Sequence, residues 1–293
     1  MGRRHRDDGP RIDGILVVSK PAGPTSHDVI DTVRRLTGVR RVGHGGTLDP
    51  FAMGVLPVFI GRATRMVDYH RRDTKRYRAS VVFGASSTTD DIDGEMTPGA
   101  APAPERPAVE ATLAGFRGEI EQVPPDHSAV HVGGKRAYEV ARGGEKPEIA
   151  ARTVTIHSLD LVGWDTADAE KPMAELDVHC SAGTYIRSLA RDLGRQLGCG
   201  AYLGALTRTA SGPFDIESVG MEYSVVLKGV QRAAEMLDAG TTEEVSVQTE
   251  RLTTVVRMLT DEYFVALAVA PGGNVGKARY LLRVSAPKLI ENL

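Results

Sequence analysis

The stretch Gly43-His44-Gly45-Gly46-Thr47-Leu48-Asp49-Pro50-Phe51-Ala52-Met53-Gly54 limits the fold more than any other part of the chain. Its four glycines permit positive φ and let another stretch of chain approach the backbone closely. Proline disfavours helical backbone in the residue before it, so Asp49 is set in an extended or turn conformation. An isolated Asp-Pro is ordinarily a solvated surface turn. Here Leu48, Phe51, Ala52, Met53, Val55 and Leu56 make the flank apolar. The segment therefore reads as a loop laid against a core, its carboxylate aimed into a cleft.

This loop, from His44 to Pro50 with Ala52 and Gly54-Val55-Leu56 behind it, resembles the catalytic motif of the TruB family of tRNA pseudouridine synthases. Three further segments match in the same order. Gly14 to Ser26, with Lys20-Pro21 at its centre, resembles the N-terminal Lys-Pro motif. Lys75-Arg76-Tyr77, then Phe83-Gly84 and Thr88-Thr89-Asp90, resembles the tyrosine-bearing strand and its loop. Cys180 to Gly194 resembles the third motif. The likeness runs from roughly Ile12 to Ser218.

The resemblance implies an isomerisation that breaks the N-glycosidic bond of a uridine, rotates the base and forms a C–C glycosidic bond. Such an internal rearrangement requires no cofactor and no metal. Asp49 would be the nucleophile, attacking C6 of the uracil or C1′ of the ribose. Its carboxylate must be ionised in a dry site, where burial works against the charge; Arg187 is the cation the family uses to offset that. Tyr77 would stack on the flipped base, an interaction worth roughly 1–3 kcal/mol. Tyr185 would line the pocket, and Leu206 would be its apolar wall. His44 would fill the space left by the extruded base; extrusion costs a few kcal/mol of unstacking. Lys20 would brace the catalytic loop, with Gly45 and Thr47 as supporting motif residues. Arg191 and Arg195 read instead as a solvated helix face.

Composition fits a soluble, cytoplasmic protein: 41% hydrophobic and 25% charged residues, two cysteines, and no Cys/His spacing suited to zinc. The apolar runs fall short of a membrane span. The net charge of −2 conceals an asymmetry, for residues 1–78 hold 16 Lys and Arg against 8 Asp and Glu. A basic half with Tyr69 and Tyr77 interleaved is the footprint expected for RNA. The partner implied is the T-stem-loop of tRNA, bound by a monomer without an obligatory protein partner.

Periodicity gives the elements. Thr25 or Ser26 caps a helix through Val29, Ile30, Val33 and Leu36 that Gly38 stops. Tyr77, Ala79, Val81 and Phe83 alternate as one face of a strand; 152–162 and 173–180 read likewise. Pro107–Phe116 reads as a helix, and Ile186, Leu189, Ala190, Leu193 and Leu197 recur at helical spacing. The fold class expected is α+β: a pseudouridine synthase fold with a largely antiparallel mixed sheet flanked by helices, plus a small C-terminal accessory domain. The divisions expected are a disordered basic tail over 1–11, a catalytic domain over 12–221 and a short or divergent PUA-like domain over 222–293. An RNA-gripping insertion, about 123–152, departs from the family at His127 and His131, where tyrosine and lysine are usual. In the tail, 228–260 reads as helical, while Tyr263–Val269 and Arg279–Val284 read as strands joined by a turn at 271–274.

Three other readings compete: a non-catalytic tRNA-binding or folding protein on the same scaffold, a synthase for another RNA or one needing a guide RNA and partners, and a hydrolase using Ser26-His27-Asp28. Adjacent side chains point apart, which weighs against the last.

Overall fold

A computed structural model describes residues 13–215, 227–250, 253–260, 264–269 and 272–290. The expected basic tail over 1–11 lies outside the described residues. The chain divides into two compact units, one joining Met1–Arg71 to Ala210–Leu293 and the other spanning Arg72–Thr209.

In the first unit, strand β1 (Gly14–Lys20) runs antiparallel to β3 (Met53–Ile60) along its full length, Gly14 opposite Ile60 and Lys20 opposite Gly54. Helix α1 (Ser26–Thr37) and β2 (Val42–His44) lie between them in sequence. The helix starts where expected. Thr25 Oγ1 accepts the Asp28 N–H and Asp28 Oδ2 accepts the Thr25 N–H, a reciprocal cap. Gly38, in the left-handed region at φ 69°, ends it. β2 pairs with β3, His44 opposite Val58, and seven of the eight β3 residues are buried. After β3 come a 3₁₀ turn, Gly61–Met66, and the short helix α2 (Val67–His70). His70 is buried between the rings of Phe59 and Phe214, at 5.5 and 5.4 Å, and shares a hydrogen bond with Ser211 Oγ at 3.0 Å.

The second unit begins with β4 (Lys75–Phe83), then a small ribbon of β5 (Ala85–Ser87) and β6 (Met96–Pro98). Helix α3 (Arg106–Leu113), β7 (Gly118–Gln122), a hairpin of β8 (His131–Val132) and β9 (Lys135–Arg136), and helix α4 (Ala137–Arg142) follow. β10 (Arg152–Asp165), β11 (Met173–Cys180), helix α5 (Ile186–Leu197) and β12 (Ala201–Ser211), which belongs here as far as Thr209, complete it. The strands lie in the order β12, β4, β11, β10, β7. β4, β11, β10 and β7 pair antiparallel. The alternation expected is observed: Ala79, Val81 and Phe83 of β4, and Ala174, Leu176, Val178 and Cys180 of β11, are buried. Ile186, Leu189, Ala190 and Leu193 of α5 are buried as well, the helix packing on β4 and α3. Fully buried leucines such as Leu176 and Leu189 each contribute about 1.5–3 kcal/mol by leaving water.

The rest of the first unit corrects the expectations for the tail. β13 (Phe214–Asp215) folds back on the end of β12. The stretch 228–260 is not helical throughout: a helix, α6, covers 227–236, and β14 (Glu244–Gln248) and β15 (Thr253–Met258) pair antiparallel after it. β16 (Phe264–Val269) pairs with β15 on one side and β1 on the other, Leu267 opposite Leu16. Arg279–Val284 is not a strand but the middle of helix α7 (Val275–Ile290). Ala278, Leu282 and Ala286 recur every four residues and are buried, with Ala278 and Leu282 against Val255, Leu267 and Val269. That helical period outweighs the strand preference of Tyr280, Leu281 and Val284. Among the described residues no helix is long and apolar enough to cross a membrane.

Candidate active site

The loop joining β2 to β3 is fastened on both sides of Asp49. Ser26 Oγ, at the head of α1, accepts the Leu48 N–H at 2.8 Å and donates to the Leu48 C=O at 3.0 Å. On the other side the Pro50 C=O accepts from the Gly23 N–H at 2.9 Å and from Lys20 Nζ at 3.1 Å. Lys20 is wholly buried and also donates to its neighbour's carbonyl, Pro21 O, at 2.8 Å. The Asp49 C=O accepts from Ala52 N–H, closing a turn. Gly45 anchors the loop's start, its N–H on Pro57 O at 2.9 Å. A Cβ at Gly45 would collide with the ring of His70, so only glycine fits. Asp49 itself is half-buried, Thr47 is exposed, and the His44 ring nitrogen Nδ1 accepts the Gly46 N–H at 3.4 Å.

In the second unit a different set converges on the head of α5. Gly183, at φ 86°, turns the chain out of β11, and Tyr185 stands at the helix N-cap. Gln122 Oε1 accepts the Tyr185 N–H at 2.8 Å while its Nε2 donates to the Tyr185 C=O at 3.1 Å. The Arg152 guanidinium lies over the Tyr185 ring, 4.8 Å from its centroid. Arg187 is 5% exposed. Its guanidinium is 3.3 Å from Asp91 and donates to the carbonyls of Thr89 and His127, at 3.2 and 3.1 Å. One turn on, Arg191 bonds Asp90 at 2.9 Å and Asp192 at 2.9 Å. Burial pushes the Asp90 carboxyl above its ordinary value, with Arg191 opposing. Tyr77 is half-buried on β4 opposite Val178, and Leu206 is buried on β12. Two residues before Tyr77, Lys75 is buried, its amine held below its ordinary value by burial and by the nearby Arg208.

The model of the TruB family pseudouridylate synthase N-terminal domain matches residues 34–186, and that of the tRNA pseudouridylate synthase B C-terminal domain matches 187–258. The tRNA pseudouridine synthase B of Thermobifida fusca is 50% identical over 210 residues, 70% of this chain and 71% of its own length. That of Gloeobacter violaceus is 50% identical over 209 residues, 71% of this chain and 70% of its own. The chain belongs to the TruB family of pseudouridylate synthases. A chain in the crystal structure of a Cbf5-Nop10-Gar1 complex is 32% identical at a TM-score of 0.52, over 69% of this chain and 50% of that one. The α+β fold expected for the family is the one observed.

Within this TruB chain the residues singled out from the sequence fall into two groups. Lys20, His44, Gly45, Thr47 and Asp49 share one loop and the strand end behind it. Tyr77, Tyr185, Arg187 and Leu206 belong to the second unit. One reading is corrected: Arg191 does not lie on a solvated face but is largely buried in ion pairs, whereas Arg195 is exposed. The Ser26-His27-Asp28 triad is also excluded by geometry. Ser26 is spent on Leu48, His27 faces Asp31, and Asp28 caps α1. Sequence reasoning passed over Ser26 as a loop clamp, Asp91 as the partner of Arg187, and Gln122. Asp91 directly follows the Thr88-Thr89-Asp90 motif and was within reach. Gln122 carries no pattern of its own.

Proposed function

We propose that this chain isomerises uridine to pseudouridine at position 55, in the T-loop of tRNA, with Asp49 as the nucleophile. Family membership carries the reaction class, conversion of uridine to pseudouridine in tRNA. The observation that supports the role of Asp49 is its tethering between Leu48 and Pro50, both held by hydrogen bonds from outside the loop. A nucleophile held in this way reaches a bound base without first ordering its own backbone.

The proposed sequence uses only this chain's groups. The T-loop uridine is extruded and stacks on Tyr77, and His44 takes its place in the RNA. Asp49 bonds to the substrate, the bond between C1′ and N1 breaks, the uracil turns, C1′ bonds to C5, and the bond to Asp49 breaks again to free the carboxylate. The C5 proton then leaves to solvent and N1, freed from the sugar, takes one up, so hydrogen is neither gained nor lost overall. Arg187 supplies the cation that keeps the reacting carboxylate ionised. We further read the chain as a cytoplasmic monomer acting without a protein partner.

The test is tritium release from a tRNA transcript labelled at C5 of uridine. Wild type should release tritium, with the product mapping to the T-loop. Asp49→Asn should release none while binding tRNA within about tenfold of wild type, because the nucleophile acts mainly in the chemical step. Loss of binding along with turnover would make Asp49 structural, and a silent wild type would sink the reading altogether.

A further inference from the structure

We propose that Gln122 is a positioning residue for the reaction, its side-chain amide holding the main chain of Tyr185 and so aiming Tyr185 and Arg187 at the head of α5. The inference rests on the reading of those two as pocket residues.

A helix begins with N–H groups that lack intrahelical partners, and a Ser, Thr, Asp or Asn side chain at the N-cap usually serves one of them. The N-cap of α5 is Tyr185, whose side chain makes no such bond. What fixes this helix head comes from another strand. Gln122, the last residue of β7 and 1% exposed, takes the Tyr185 N–H on its oxygen and gives an N–H to the Tyr185 carbonyl. Only one orientation of the amide satisfies both bonds, since the reverse would set two donors face to face. One bond would fix a distance; two fix the tilt of the residue as well.

The chain beyond Gln122 continues the attachment. The Val123 carbonyl accepts from Ser188 Oγ and Arg191 Nη2, each at 2.8 Å, and the His127 carbonyl accepts from Arg187 Nη2 at 3.1 Å. Tyr185 is therefore held at its backbone by Gln122 and at its ring by Arg152. Arg187, two residues later, inherits that placement. Gln122 touches no reacting group itself.

The experiment compares wild type, Gln122→Met and Gln122→Glu by single-turnover pseudouridine formation at saturating tRNA, alongside tRNA affinity and thermal midpoint. Methionine keeps the shape and loses both bonds. Its rate constant should fall at least about tenfold, as small misplacements of reacting groups do, with tRNA Kd within about threefold of wild type. Glutamate restores both bonds only as the neutral acid, which burial favours. Its rate relative to wild type should therefore climb as pH is lowered, while the methionine ratio stays flat. Should Gln122→Met fail to fold, the pH response of Gln122→Glu decides alone. A methionine variant at wild-type rate, a rate loss matched by an equal loss of affinity, or a glutamate ratio indifferent to pH would overturn the assignment. A wild type that forms no pseudouridine would overturn the functional reading instead, and the positioning role with it.

Discussion

A hydroxyl has one proton and two lone pairs, so a single serine can serve both ends of a peptide, and Ser26 does so at Leu48. Removing it leaves a buried N–H and C=O without their partner. Ser26→Ala should lower unfolding free energy by about 1–3 kcal/mol, and should slow turnover more than it weakens tRNA binding. Chemical denaturation and single-turnover assays check the two parts; an unchanged rate would show that Lys20 and Gly23 suffice to hold the loop. At Cys180, burial pushes the thiol up to about 11. Thiolates, not thiols, react with alkylating reagents. Cys180 should resist iodoacetamide at pH 8 in the native protein and label at once in denaturant, and rapid native labelling would contradict that. Asp49 was legible because proline and glycine announce an unusual backbone. Ser26 reads in the sequence as a helix start, as the end of the Lys-Pro motif and as a member of the Ser26-His27-Asp28 set, and in none of these as a clamp on Leu48. Gln122 was not visible at all, because its partner lies far along the chain and nothing local requires a glutamine there.

Elements with one buried face were read correctly from their period. β4 and β11 alternate because one face is buried in the core while the other is only partly covered. The tail went wrong for two physical reasons. Glutamate, threonine and glutamine around Val245 and Val247 hide a short alternation whose burial is only partial. In α7 the residues with strand preference, Tyr280 and Val284, sit on the exposed side, whereas the smaller Ala278 and Ala286 face inward. The open face of the second unit carries a testable pair. His179 of β11 stands opposite Arg76 of β4, and its ring lies 4.8 Å from that of His157 of β10. Burial, Arg76 and His157 together hold His179 below its ordinary value. The folded state then takes up its proton later than the unfolded state does. Its contribution to stability is lost as pH falls from the ordinary histidine value toward the lower folded one. His179→Gln should lose less stability than wild type between about pH 7 and pH 5. Parallel denaturation midpoints across that range would refute the assignment.

At the scale of the molecule, the basic residues of 1–78 remain the sequence's clearest statement about a partner. Some are tied up locally: Arg34 with Asp31, Arg62 with Asp13 and Arg71 with Asp68. Arg35, Arg40 and Arg65 make no ion pair among the described residues. If such groups neutralise phosphates, log Kd for tRNA should rise linearly with log salt. Affinity should then fall at least about tenfold between 50 and 200 mM. A flat response would remove this face from RNA binding.

The pairing of β16 with β1 has a consequence for how the chain is made. Arg72–Thr209 is continuous and leaves the ribosome whole, so it can fold during synthesis. β1 emerges first of the described strands and is soon paired with β3, yet its other edge waits for β16, the last of the described strands in chain order. Until then Leu16 lacks its neighbour Leu267, and a nascent chain presents a bare strand edge of the kind that recruits other chains. The strand that ends at Lys20, the residue gripping the Asp49 loop, is thus among the last to be secured. A newborn molecule would acquire its capacity to modify RNA only once β16 has been released to pair with β1.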